Sequence, residues 1–211
     1  MENTLEDLNN IKNVIFDVGD VLLDYRWREM LMDYGLDINE AQRIGRELFD
    51  DNLWHIYDIG TMSQEEIINA YCDKHPKDAK VIRWFITHGE YMHVPRPKVW
   101  EKVHELKIKG YKLYILSNYP EILFNKHTEY ADFMDDMDGV MVSYMIKDSK
   151  PNMAIYDALC NRYGLKTDES IFFDDREENV LGAIKFGINA KKIDSQDSLL
   201  EYMDILLNKN N

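Results

Sequence analysis

The sequence predicts an α/β protein: a Rossmann-like parallel sheet core with helices on both faces, plus an all-helical domain inserted after the first strand. Three observations carry this. An apolar run, Val14-Ile15-Phe16, ends at Asp17, as a buried strand with an acid at its C-terminal tip would. Residues 26–93 then read as helices and loops with no strand pattern. From Pro95 onward, strand-like and helix-like stretches alternate to the end, the pattern of a parallel sheet wound by helices. The core comprises residues 1–24 and 95–211, and the helical insert residues 25–94.

Within the insert, Arg28–Tyr34, Asn39–Tyr57, Ser63–Lys74 and Ala79–Gly89 are predicted as amphipathic helices. Ser63 with Glu66 forms a capping-box pattern, and Gly35, Gly60 and Pro76 separate the segments. Pro95 and Pro97 end the block. In the core, a helix over 98–109 stops at Gly110, and Tyr-Lys-Leu-Tyr-Ile-Leu at 111–116 reads as the second strand. A third strand covers Gly139–Ser143, and Pro151 opens a helix that runs to Tyr163 and stops at Gly164. Ser170–Phe173 is a fourth strand, followed by a helix over 177–186 stopped by Gly187, a strand near 189–193 and a helix from Ser198.

Composition excludes several function classes. Of the 211 residues, 45% are hydrophobic and 30% charged, as in soluble globular domains rather than disordered chains. The formal net charge of −14 repels nucleic acid, and no basic stripe offsets it. A phosphate site here would need its own local cations. Cys72 and Cys160 are far apart, with no CxxC, so neither a zinc site nor a disulfide framework is expected. The N-terminus is acidic and unlike a signal peptide. No apolar run approaches the roughly 20 residues of a membrane span. These features predict a cytoplasmic protein with no membrane or nucleic-acid partner.

Four predicted strand tips carry polar residues: Asp17; Ser117-Asn118; Lys150-Pro151, after the third strand; and Asp174-Asp175, with Asn179 a turn later. In a parallel sheet these tips converge on one crevice. Carboxylates, a hydroxyl, backbone N–H groups and one lysine suit a Mg²⁺ ion and a phosphoryl group: hard oxygen donors for the metal, cationic and hydroxyl donors for phosphate oxygens.

The ordered series Phe16-Asp17-x-Gly19-x-Val21, Leu116-Ser117-Asn118, Lys150-Pro151 and Phe173-Asp174-Asp175-x-x-x-Asn179 resembles the haloacid dehalogenase superfamily of hydrolases. It is similar to the capped branch that includes bacterial sugar-phosphate phosphatases and the N-terminal phosphatase domain of epoxide hydrolases. The resemblance implies a Mg²⁺-dependent phosphatase acting on a small phosphorylated metabolite, as a monomer or homodimer. It implies that Asp17 attacks phosphorus, that Ser117 and the backbone of Asn118 bind phosphate oxygens, and that Lys150 neutralises the nucleophile and the transferring group. Mg²⁺ would be held by Asp17, the carbonyl of Gly19, Asp175 and Asp174, with Asn179 orienting the last loop. Tyr119, Tyr57, Trp54 and His93 are candidate pocket residues.

One position departs from the pattern. Most phosphatases of this group carry an aspartate where this chain has Gly19, as general acid and then base, a contribution of about 10²–10⁴-fold. Asp20 is the adjacent substitute. Two alternatives stay open: a 2-haloacid dehalogenase, which also lacks that acid but does not keep a pair such as Asp174-Asp175, and a binding protein that retains the fold with weakened turnover.

Overall fold

The computed structural model describes Leu8 and residues 10–209. Its centre is a five-stranded, all-parallel sheet. In chain order the elements begin with β1 (Asn13–Phe16) and β2 (Leu23–Tyr25), followed by five helices: α1 (Trp27–Asp33), α2 (Ile38–Phe49), α3 (Asn52–Asp58), α4 (Gln64–Lys74) and α5 (Ala79–Thr87). They continue with β3 (His93–Pro95), α6 (Pro97–Lys109), β4 (Lys112–Ser117), α7 (Glu121–Thr128), β5 (Gly139–Val142), α8 (Ser143–Ile146) and α9 (Met153–Tyr163). The chain closes with β6 (Ser170–Asp174), α10 (Glu177–Phe186), β7 (Asn189–Lys192) and α11 (Gln196–Leu207). The spatial order is β5-β4-β1-β6-β7. The chain therefore builds outward from β1 on one side, then returns to build on the other. That reversal puts the topological switch point at β1, where open α/β sheets bind ligands.

Strand alternation explains why both faces are covered. Val14 and Phe16, Leu113 and Ile115, Ile171 and Phe173 point to one face and pack with Val99, Val103, Leu106, Leu199, Met203 and Leu206 of α6 and α11. Ile15, Tyr114, Leu116 and Phe172 point to the other, against Ile155, Tyr156, Leu159, Val180 and Ala183 of α9 and α10. A strand buried on both faces reads as a continuous apolar run, which is how Val14-Ile15-Phe16 looked in the sequence.

The helical cap departs from the sequence prediction in two places. Asn39–Tyr57 is not one helix but two, because the Asp51 carboxylate accepts from the Leu53 N–H at 2.9 Å and starts a new N-terminus. The segment 26–93 also ends in a strand: β2 and β3 pair antiparallel, Tyr25 opposite His93 and Leu23 opposite Pro95. Three-residue strands are too short to show an alternating pattern. The capping box at Ser63 and Glu66 is present as expected. In the core, the helix after Pro151 starts two residues late, at Met153, with Asn152 as N-cap.

The β2–β3 ribbon joins cap to core and is stitched by Arg96. Its buried guanidinium donates from Nη1 to the carbonyls of Asp20 (2.7 Å) and Val21 (3.1 Å), and from Nη2 to Asp24. Trp100 adds an indole N–H to Leu22 O at 2.7 Å. Arg96→Ala should lower unfolding free energy by about 1.5–3 kcal/mol, since it strands one buried and one half-buried carbonyl that a charged donor now satisfies. Chemical denaturation checks this, and a loss under about 0.5 kcal/mol would remove Arg96 from this role.

Candidate active site

β1 delivers Asp17 to the C-terminal edge of the sheet, its N–H held by Phe173 O at 2.9 Å. One carboxylate oxygen, Oδ1, accepts from the Val18 N–H (2.7 Å) and the Ser117 hydroxyl (2.6 Å), and lies 3.0 Å from Lys150 Nζ. Among the described residues nothing hydrogen-bonds Oδ2. The carboxylate is fixed by one oxygen and leaves the other available. Burial raises the Asp17 carboxyl to about 6; Lys150 opposes the shift and Asp174 adds to it.

Lys150 is buried and spends its three protons on Leu116 O (2.9 Å), Asp174 Oδ2 (2.6 Å) and the Asp17 side. Burial would lower the ammonium, but the charges of Asp17 and Asp174 outweigh it and hold the group above its ordinary value. Motifs two and three are clamped together by the Asn118 amide: its Nδ2 donates to Lys150 O and its Oδ1 accepts from Lys150 N–H, both at 2.9 Å. The Asn118 side chain is thereby used up, and its backbone is what remains for a ligand.

Asp174 and Asp175, adjacent in sequence, have different surroundings. Asp174 is fully buried, accepting from Lys150, from Asn179 Nδ2 on both oxygens (2.9 and 3.1 Å) and from the Arg176 N–H (2.8 Å). Asn179 thus orients this loop, as anticipated. Asp175 reaches the cavity. Burial and then the charges of Asp17, Asp174 and Asp20 raise its carboxyl to about 7, against the pull of Lys150. One oxygen each from Asp17, Asp174 and Asp175 lie within 4.8 Å of one another. Three acids share one lysine. An all-carboxylate oxygen set with surplus negative charge fits a hard divalent cation such as Mg²⁺.

Over this edge sits a cavity of about 380 Å³ roofed by the cap. Asp17, Gly19, Asp20, Asn118, Tyr119 and Asp175 line it from the core; Trp27, Arg46, Phe49, Trp54 and Asp58 line it from the cap. Of the expected pocket residues, Tyr119 and Trp54 are on the wall. Tyr57 is not: it is buried within the cap, its ring edge-on to Trp54 and its hydroxyl donating to Gln64 Oε1 at 2.6 Å. One turn along α3, Tyr57 is offset by about 60° from Trp54 around the helix axis, which is enough to bring it into the cap interior. His93 is also off the wall, in β3, with Nδ1 beside Glu90 O at 2.9 Å. Ser117 and Lys150 lie beneath the floor, touching Asp17 rather than the open space.

Position 19 is crowded. A Cβ there would meet Tyr25 at 2.5 Å (Cε2) and 2.6 Å (hydroxyl). The Tyr25 ring, reaching in from β2, fills the volume of the missing side chain. It packs 6.3 Å from the Tyr119 ring and 6.4 Å from His127. The Tyr119 hydroxyl in turn bonds His127 Nδ1 at 2.6 Å, and His127 Nε2 meets Gly89 O at 2.8 Å. Asp20 is on the cavity wall in a left-handed conformation (φ 53°). Its carboxyl is raised by burial, lowered by Arg96, raised by Asp24 and lowered by the Tyr25 N–H.

Tyr25, Arg46, Asp58 and Arg176 were not singled out from the sequence. Arg176 follows Asp175 directly and was within reach of the motif. The other three come from β2 and the cap helices, where no spacing rule applies.

Comparison with known proteins agrees with this geometry. The family model for haloacid dehalogenase-like hydrolases matches residues 11–187. A sesquiterpene phosphatase of Aspergillus oryzae is 23% identical over 194 residues, covering 92% of this chain and 94% of that protein. The (S)-2-haloacid dehalogenase 4A of Burkholderia cepacia is 24% identical, covering 92% and 88%. Among solved structures, a haloacid dehalogenase family enzyme of Bacteroides thetaiotaomicron, complexed with magnesium and inorganic phosphate, aligns with a TM-score of 0.69 at 24% identity, over 86% of this chain and 93% of that one. With the family model spanning most of the chain and the four motifs gathered at one sheet edge, the protein belongs to the haloacid dehalogenase-like hydrolases.

Proposed function

We propose that the protein is a Mg²⁺-dependent phosphatase that hydrolyses a small phosphorylated metabolite through an aspartyl-phosphate on Asp17. The observation that carries this reading is the surplus of carboxylates: Asp17, Asp174 and Asp175 within 4.8 Å, against a single lysine. A carboxylate nucleophile attacking carbon has no need of Asp175, whereas a phosphoryl group and its metal do. The magnesium and phosphate bound by the Bacteroides relative support the same reading, as does the curated sesquiterpene phosphatase.

The residues divide the work. Ser117 and Lys150 hold Asp17 Oδ1, aiming Oδ2 into the cavity at phosphorus. The backbone at Asn118 is left to orient phosphate oxygens, while Lys150, beneath the floor, neutralises charge through Asp17. Asp17, Asp175 and the Gly19 carbonyl would hold Mg²⁺, with Asp174 beside them as the anchor of Lys150. When bound, the ion supplies charge neutralisation between nucleophile and phosphate. The cap, as residues 25–94, closes the site with an aromatic wall of Trp27, Phe49 and Trp54 and one cation, Arg46, so the carbon skeleton of the substrate is read there. Enclosure also keeps bulk water from the nucleophile.

The test is release of inorganic phosphate from a panel of monoesters with and without Mg²⁺, alongside halide release from 2-haloacids. Phosphate release that EDTA abolishes supports the reading; halide release without Mg²⁺ would replace it with the dehalogenase. A binding readout runs in parallel. Asp17 and Asp175 have carboxyls raised above their ordinary 3.8, to about 6 and about 7. Their contribution to stability is therefore present when they are protonated and is lost as pH rises through that window. Mg²⁺ must displace those protons. The rise in melting temperature on adding Mg²⁺ should be larger at about pH 8 than at about pH 5.5. An equal rise at both would exclude these carboxylates as its ligands.

A further inference from the structure

With position 19 bare and its space taken by the Tyr25 ring, proton transfer needs another group on the cavity wall. Such a group must hold a proton for the leaving oxygen and then accept one from water. The Tyr25 and Tyr119 phenols are buried, held well above their ordinary value by that burial, and cannot act as bases. Asp17 is the nucleophile and Asp175 a metal ligand in the reading above. Asp20 lies between Arg96, Asp24 and the Tyr25 N–H, in the root of the ribbon.

Asp58 remains. It is the last residue of α3, in the cap, and lines the cavity together with Asp17 and Asp175. Among the described residues its carboxyl has neither a hydrogen bond nor an ion pair. Its backbone, by contrast, is fastened to the core. The Ser143 hydroxyl, at the end of β5, donates to Asp58 O at 2.5 Å. Two residues on, Lys147 Nζ donates to Gly60 O at 2.7 Å. The Ser143 hydroxyl also takes the Tyr119 N–H at 3.0 Å, so one side chain ties the α3 terminus to the loop that follows Ser117. Two independent contacts thus fix the backbone that carries an otherwise unused carboxyl at the cavity wall.

We propose that Asp58 is the general acid and base of this site, a cap residue doing what the side chain at position 19 does in relatives that have an acid there. The proposal rests on the phosphatase reading. As the Asp17 oxygen bonds to phosphorus, the bond from phosphorus to the ester oxygen breaks; the electron pair stays on that oxygen, which takes the Asp58 proton and leaves as the alcohol. Asp58, now a carboxylate, accepts a proton from the water whose oxygen attacks the aspartyl-phosphate. That step breaks the bond between phosphorus and the Asp17 oxygen, frees inorganic phosphate and returns both acids to their starting states.

The surroundings agree. Burial raises the Asp58 carboxyl to about 8; the charge of Arg176 opposes this, that of Asp17 adds to it and that of Lys150 opposes it. Its charge also acts on the phenols of Tyr57, Tyr71 and Tyr119, and Asp20, Arg46, Asp50 and Asp175 share the cavity wall with it. A general acid is effective when it still holds its proton near neutral pH.

The experiment compares wild type, Asp58→Asn, Asp58→Ala and Asp20→Asn on p-nitrophenyl phosphate, whose leaving group needs no proton, and on an alkyl phosphate, whose leaving group does. Thermal melts of each variant establish folding. Asp58→Asn should cut kcat/KM on the alkyl ester by about 10²-fold or more while sparing the first step on the nitrophenyl ester. That variant should then show a burst of nitrophenolate equal to the enzyme present, because the aspartyl-phosphate accumulates. Equal loss on both esters without a burst, no loss on either, or a leaving-group-dependent loss in Asp20→Asn instead would overturn the assignment. A wild type inert toward both esters would sink the phosphatase reading itself, and this proposal with it. Gly19→Asp is not a clean rescue, because its Cβ would have to displace Tyr25.

Discussion

Asp17→Asn is expected to abolish phosphate release, by at least about 10³-fold in kcat, while leaving the fold intact. The amide oxygen can still take the Val18 N–H and the Ser117 hydroxyl, which today converge on Oδ1. Only the second oxygen, the one with no partner among the described residues, is lost as a nucleophile. Circular dichroism and melting temperature should therefore stay near wild type. Mass spectrometry after incubation with substrate should find a phosphorylated chain in wild type quenched during turnover and none in the variant. Turnover within about tenfold of wild type would remove Asp17 from the nucleophile's role.

Lys150→Met is the second large effect, and it acts on stability as well as turnover. The ammonium is completely shielded from solvent and sits 2.6 Å from Asp174 and 3.0 Å from Asp17. Removing it leaves two buried carboxylates with no cation. Breaking a buried pair in this way costs about 3–5 kcal/mol, or roughly 6–20 °C in melting temperature for a chain of this size. The sign with pH is fixed. Without the lysine the Asp17 carboxyl, already raised, shifts further up, so its penalty grows as pH rises and is relieved by protonation in acid. The variant's deficit relative to wild type should shrink at low pH, and Mg²⁺ should recover part of it at high pH. A deficit under about 1 kcal/mol would show that the two acids are compensated elsewhere.

The α/β core was legible in the sequence because its signals are local. Each strand buried on both faces is a short apolar run, and each helix has its own stop, as at Gly110, Gly164 and Gly187, all with positive φ. The strand tips could be read for the same reason: Asp17, Ser117, Lys150 and Asp174-Asp175 each follow an identifiable element. What escaped depends on contacts across the chain. Asp58 meets the site through Ser143, 85 positions away, and Arg96 meets Asp20 across 76. Helical periodicity could say that Trp54 and Tyr57 were apolar neighbours, but not which one would face the cavity. The Asp174-Asp175 pair shows the same limit: the resemblance puts Asp175 on the metal with Asp174 as a second ligand or through water, and the hydrogen bonds from Asn179, Arg176 and Lys150 show that Asp174 is committed to the loop.

The Tyr25 ring against Gly19 has a consequence for how this site can change over generations. Two codons six apart specify a single occupied volume. An acid arriving at position 19 would first collide with the ring, and shrinking residue 25 alone would open a void beside the nucleophile. Either change alone disturbs the packing beside the nucleophile, whereas a paired change keeps the volume filled. Substitution at either position is thereby coupled to the other.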